Sequence, residues 1–298
     1  MLYEIAEHRL RLTFRDSYQN DSLLPSFAPF LVDDEEDNAP LINIIVDDSL
    51  KSVSRNERRL IRDVDTGNGV IKVLRLETPD GKPNGYQFVI CDITGFQCAL
   101  LIANEDFRQC HCALRGDQVR RNFALNSLVM LCFAFATASL DTVLVHASLV
   151  RHEGKGYAFT AKSGTGKSTQ VSNWLRYIPD CDLMNDDNPV IRIKDDRVFI
   201  YGSPWSGKTP CYRNVKAPLG AMALIHRDNS NYLERLNPIK AFVTLLPACS
   251  TMKWDERVYR ANGDTVSKVL ERIPVYALHC LPDRESALVA SEGMKKGL

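Results

Sequence analysis

The chain has 298 residues, 45% apolar and 25% charged, with Lys plus Arg and Asp plus Glu balanced at 37 each. That length allows one large domain or two ordinary ones around a sizeable core, and the balanced charge supplies no net field to gather nucleic acid or an anionic membrane, so neither is expected as a partner. Nine cysteines is an odd number, and Met1-Leu2-Tyr3-Glu4-Ile5 is too charged for a signal segment. Reduced thiols in a cytoplasmic protein are therefore expected.

In chain order, residues 9–14, 41–46, 69–76, 86–90 and 96–102 read as strands separated by turn chemistry such as Thr78-Pro79-Asp80-Gly81. The acidic run Asp33 to Asp37 reads as a solvated loop. Cys110-His111-Cys112 does not match a zinc spacing and reads as buried thiols flanking a strand-borne histidine. Residues 1–117 are thus expected to form a mostly antiparallel β domain. Residues 118–140 change to a helical period, and 125–140 is too short and too polar to span a membrane. We group this linking helix with a second domain, 118–298. Strands follow at 142–150, 157–160, 181–184, 189–193, 198–201, 219–225 and 275–281, with helices from Lys167, Asn237 and Asp283. The fold class is α/β.

Ala161-Lys162-Ser163-Gly164-Thr165-Gly166-Lys167-Ser168 lies between a strand and a helix and matches the phosphate-binding pattern G-x-x-x-x-G-K-[ST], with Ala in the first Gly position. Gly164 and Gly166 let the backbone turn so that N–H groups point at phosphate oxygens, and the helix start adds partial positive charge. Ser163, Gly164, Thr165, Gly166, Lys167, Ser168 and Thr169 are the expected nucleotide contacts. Lys167 would reach the β/γ-phosphates and Ser168 the Mg²⁺. Asp186-Asp187, 19 positions after Lys167, supplies two carboxylates at a strand end. One can order Mg²⁺ and the other can take a proton from an attacking hydroxyl. The expected cofactors are ATP and Mg²⁺. No Asn-Lys-x-Asp segment occurs, which argues against a signalling GTPase.

His146-Ala147-Ser148, the glycine loop and Asn185-Asp186-Asp187 together resemble the catalytic domain of the HPr serine kinase/phosphorylase family, and more loosely the phosphoenolpyruvate carboxykinases. The resemblance covers roughly residues 142–225. It implies a P-loop kinase domain on an α/β sheet, with Asp186 as the base at the acceptor hydroxyl, Asp187 on Mg²⁺ and His146 at the phosphate-transfer site. The chain departs from the family at Ala161 and Thr169, and in lacking its Gly-rich signature after the aspartates. Its place is taken by Gly202 to Asn214, the expected acceptor-binding stretch, in which Trp205 and Tyr212 offer flat faces and Lys208 and Arg213 offer charge.

The expected activity is transfer of the γ-phosphoryl group from ATP to a hydroxyl of a protein or peptide serine, or of a small metabolite. Two alternatives stay open: a nucleotide-sensing regulatory protein without turnover, and a carboxykinase-like enzyme, whose chemistry would need a second metal site of His, Lys and Asp. Related kinases often assemble, so a homo-oligomer is an option the resemblance leaves open.

Overall fold

Alternating apolar and polar residues lay the first part of the chain into β1 (Leu2–Ile5), β2 (His8–Phe14), β3 (Leu31–Val32), β4 (Ile42–Val46), β5 (Arg58–Asp65), β6 (Gly69–Glu77), β7 (Pro83–Asp92), β8 (Gln97–Ala103) and β9 (Gln109–Leu114). The structure, a computed structural model, describes residues 1–15, 22–33, 39–162 and 164–297. It divides into two units, Met1–Ala136 and Thr137–Leu298. In the first, the spatial order is β3-β1-β2-β4-β9-β8-β7-β6-β5. Most neighbours are antiparallel, as expected, but β2–β4 and β4–β9 pair in parallel. On β9, Cys110 and Cys112 point inward and are buried, while His111 between them is half-buried. Strand β5 is largely exposed and highly charged, which hid it from the apolar pattern. Residues 34–37 of the acidic run lie outside the described residues.

Helix α1 (Gln118–Ala136) belongs to this first unit, not to the second domain with which the sequence groups it. The reason is aromatic packing at its C-terminal end: Phe135 lies 6.4 Å from the Phe88 ring and 5.1 Å from that of Phe107. Among the described residues no helix is long and apolar enough to cross a membrane.

The second unit comprises β10 (Thr142–Leu144), β11 (Ala147–His152), β12 (Lys155–Thr160), α2 (Lys167–Tyr177), β13 (Cys181–Asp187), β14 (Val190–Lys194), β15 (Arg197–Tyr201), β16 (Lys216–Arg227), β17 (Tyr232–Arg235), α3 (Pro238–Leu245), α4 (Glu256–Leu270), β18 (Val275–Cys280) and α5 (Arg284–Lys296). Its mixed sheet runs β10-β14-β15-β16-β12-β11-β13, with β18 also on β16 and β17 beyond it. One face packs Leu149, Ala158, Met184 and Met222 against residues of α3 and α4. The other packs Phe159, Ala223 and Leu278 against Trp174 of α2 and Ala287 of α5. The fold is α/β, with helices on both faces of this sheet. Trp174 is fully buried between Tyr157 and Phe159, with centroids at 5.3 and 5.4 Å. It clamps α2, and with it the preceding loop, to β12; truncation to Ala would cost about 3–5 kcal/mol.

The expected strand 142–150 is broken in two. Val145 bridges to Cys249, and the His146 N–H donates to the Ala248 carbonyl at 2.7 Å. Backbone polar groups thus find partners outside the strand ladder, and the break sets His146 just ahead of β11.

Candidate functional site

Three strands bring the site together. Parallel pairing of β12 with β16, and antiparallel pairing of β11 with both β12 and β13, places Ser148 opposite Phe159 on one side and Asp186 on the other. The start of β11, the end of β12 and the end of β13 therefore meet at one sheet edge. There β12 gives way to the glycine loop, where Gly164 (φ 77°) and Gly166 (φ 126°) adopt backbone that side-chain-bearing residues rarely take. Ser163 lies outside the described residues. Arg227 at the end of β16 donates to the carbonyls of Gly164 and Thr165. The Gly166 N–H, in the same peptide plane as the Thr165 carbonyl, therefore points away from Arg227. Helix α2 begins at Lys167 after Gly166, a capping position with no side chain to offer its first N–H groups, which leaves donors and a positive dipole end at the mouth of the loop. Thr169 is exposed in the first turn of α2.

Lys167 is 9% exposed. Its ammonium lies 2.8 Å from His146 Nε2 and 3.4 Å from the Ala161 carbonyl. An ammonium can only donate, so Nε2 accepts and the imidazole proton sits on Nδ1. That nitrogen lies 3.0 Å from Asp187 Oδ1. Lys167, His146 and Asp187 thus form one chain of polar contacts. Burial pushes the Lys167 pKa below its ordinary value, against the opposing pull of Asp187 and Asp186.

The two aspartates differ sharply. Asp186 is 4% exposed. Its Oδ1 accepts from Ser148 Oγ at 2.6 Å and Ser168 Oγ at 3.3 Å, and its Oδ2 from the Thr209 N–H at 3.2 Å. Asp187 keeps 31% of its side chain exposed and accepts from Asn188 Nδ2 at 2.7 Å. Its φ of 144° is a strained value for a residue with a Cβ, and such strain gathers at functional sites. The Gly207 N–H donates to the Asp186 carbonyl, and a Cβ on Gly207 would come within 3.2 Å of that of Asp187.

A scan against family models finds no match. No curated protein matches either. Among solved structures the chain is similar to the HPr(Ser) kinase/phosphatase from Coxiella burnetii, with a TM-score of 0.31 and 10% identity over 52% of this chain and 95% of that one. A likeness that remote carries no weight for chemistry.

The acceptor-binding stretch comes out differently from expectation. Trp205 is 2% exposed, so its ring is part of the interior and offers no face to a ligand. Arg213 turns away from the carboxylates: it pairs with Asp182 and donates to the Leu183 carbonyl, at the opposite end of β13. Asp182 thereby bridges Arg213 and Arg151, the latter at 2.9 Å. Lys208 is exposed and Tyr212 half-buried. Three residues with no expected role prove central. Ser148, fully buried, makes the shortest contact to the Asp186 carboxylate. Thr209 supplies a backbone donor to the same group. Asn185, also fully buried, donates to the Ser203 and Trp205 carbonyls and accepts the Asn188 N–H, fastening the loop after β15 to β13. The readable signal for Ser148 was its place two residues after His146, on the same side of the strand as the site.

Proposed function

We propose that the second unit is a P-loop phosphotransferase domain that binds a nucleoside triphosphate, ATP in the first instance, with Mg²⁺ and passes the γ-phosphoryl group to a hydroxyl. One observation carries the reading. Ser168 and Asp186 meet at 3.3 Å at the mouth of the glycine loop, beside the contacts joining Lys167, His146 and Asp187. The loop amides and α2 N-terminus would take the β-phosphate, and Lys167 the β/γ bridge.

The residues suit magnesium, which takes oxygen ligands and keeps several waters. Ser168 Oγ and Asp186 Oδ1 would hold it. Among the described residues no group of three or more His, Cys, Asp or Glu is arranged to hold a metal, which agrees with an ion completed by phosphate oxygens and water. When bound, the ion neutralises charge on the transferring group.

The geometry favours exchanging the roles expected of the aspartates. Asp186 is nearly buried and its carboxylate already accepts three hydrogen bonds, one of them from Ser168, so it is closed to a hydroxyl arriving from solvent. Asp187 is part-exposed, and His146 orients its carboxylate. Asp187 therefore takes the proton from the incoming hydroxyl, and Lys167 offsets the negative charge on the transferring group. The acceptor, a protein or peptide serine or a small metabolite, would approach past the exposed Lys208. A carboxykinase-like site would need its own lysine beside His146 and Asp187, but the lysine there is Lys167, which the triphosphate uses.

Calorimetric titration with ATP and Mg²⁺, followed by assay of ADP formation in the presence of serine peptides and a panel of small alcohols as acceptors, tests the proposal. The wild type should bind and turn over, and Lys167→Ala should lose both. A wild type that binds no triphosphate sinks the reading; binding without any ADP formation leaves only a nucleotide sensor.

A further inference from the structure

Strands β16 and β18 run parallel to β12, so their C-terminal ends gather at the same sheet edge as the glycine loop. There His226 pairs in register with His279, and His279 with Tyr232. The three rings form a column: His226 and His279 stack at 4.9 Å and 16°, His279 and Tyr232 at 4.4 Å and 4°. Asp228 pins it, its Oδ2 lying 3.1 Å from His279 Nδ1 and accepting from the Tyr232 hydroxyl at 3.4 Å. The core does not consume this column, because His226 and Tyr232 at its two ends are exposed.

Its position is directional. The carboxylates on β13 and the ring column on β16, β18 and β17 lie on opposite sides of β12 in the sheet order. A nucleoside triphosphate has the same polarity, with a reacting phosphate at one end and a flat heteroaromatic base at the other. Neighbouring strands stand about 4.8 Å apart, close to the spacing of the rings. Thr160 pairs with Leu224, so a fourth ring continuing the column from His226 would fall over the end of β12, level with Lys162, where the glycine loop starts. Arg227, next in sequence to His226, ties the end of β16 to the loop through the Gly164 and Thr165 carbonyls.

We propose that this column seats the nucleobase, with a purine ring stacking on the outer face of His226. This rests on the triphosphate reading given above. Partial desolvation by the neighbouring groups, and then the His279 ring, hold the His226 pKa below its ordinary value, which favours the neutral ring for stacking.

The test compares ATP with inorganic tripolyphosphate, both with Mg²⁺, by calorimetry on the full chain. His226→Ala should weaken ATP by about 5- to 150-fold, the range for loss of one base–aromatic stack. It should leave tripolyphosphate unchanged, and His226→Phe should restore ATP binding. Unchanged ATP affinity in the Ala variant, equal loss for both probes, or no rescue by Phe overturns the proposal. So does a wild type that binds tripolyphosphate as tightly as ATP. A wild type that binds neither probe overturns the triphosphate reading itself, and this one with it.

Discussion

Asp186→Asn and Asp187→Asn should fail in opposite ways. At Asp186, Thr209 presents an N–H that cannot turn into an acceptor, and Ser148 and Ser168 present hydroxyls to the other oxygen. The amide of Asn must point its oxygen at Thr209 and its NH₂ at the hydroxyls, which lose a charged acceptor. With the group 4% exposed, the loss of such bonds costs about 1–3 kcal/mol of stability. Ser168 loses its carboxylate partner at the same time, so the advantage of ATP with Mg²⁺ over ATP alone should shrink. At Asp187 the side chain is 31% exposed, and Asn tolerates a positive φ about as readily as Asp. Stability should therefore move by less than about 1 kcal/mol, since exposed groups contribute little. Turnover should instead fall by about 10²- to 10⁴-fold, the usual contribution of a general base. Urea unfolding, calorimetry with and without Mg²⁺, and ADP release measured on both variants decide the matter. Wild-type turnover in Asp187→Asn, or wild-type stability with undiminished Mg²⁺ dependence in Asp186→Asn, refutes the assignment of roles.

Arg213→Ala should lower stability by no more than about 1 kcal/mol, because the Arg213–Asp182 pair is part-exposed. It should change ADP formation by less than about twofold; a loss of an order of magnitude would return Arg213 to the acceptor site. Gly202→Ala would set a Cβ 2.2 Å from the Arg213 carbonyl oxygen and 2.9 Å from that of Met184. Both are backbone atoms that cannot swing aside, so a loss of about 1–3 kcal/mol or more is expected in the urea midpoint, and an unchanged midpoint would contradict the packing there. The depressed Lys167 pKa makes the folded state release a proton that the unfolded chain keeps until its ordinary value of 10.5. Stability should therefore rise with pH in the alkaline window between the folded value and 10.5, and show no such rise below it. Lys167→Met should remove that rise; equal slopes of Tm against pH in both proteins would reject burial as the cause.

The glycine loop and the paired aspartates were legible because each is a local pattern: a turn that only glycines relieve, and two like charges set side by side at a strand end. Their meeting depended on register, which no local pattern encodes. Ser148 is one more small residue in a strand until antiparallel pairing sets it against Asp186. Trp205 and Arg213 have the right chemistry for an acceptor site, but composition does not say which way a side chain faces, and a buried indole and an ion pair with Asp182 claimed them. Helix α4 escaped notice because Asn262 and Gly263 interrupt its apolar stripe at mid-length; its capping Asp255, which accepts from two N–H groups, was the available signal. The site histidine stood out only beside the other two motifs, since the break in the strand that frees it is made by a distant segment around Ala248.

The Asn185 anchor has a consequence for how this protein could diversify. It grips the segment beyond β15 through the Ser203 and Trp205 carbonyls and the Ser203 hydroxyl, and through no side chain of residues 208–210. The identities of Lys208, Thr209 and Pro210, all outward-facing, are thereby uncoupled from the fastening. Those positions can change identity while the Asp186 and Asp187 carboxylates stay where they are.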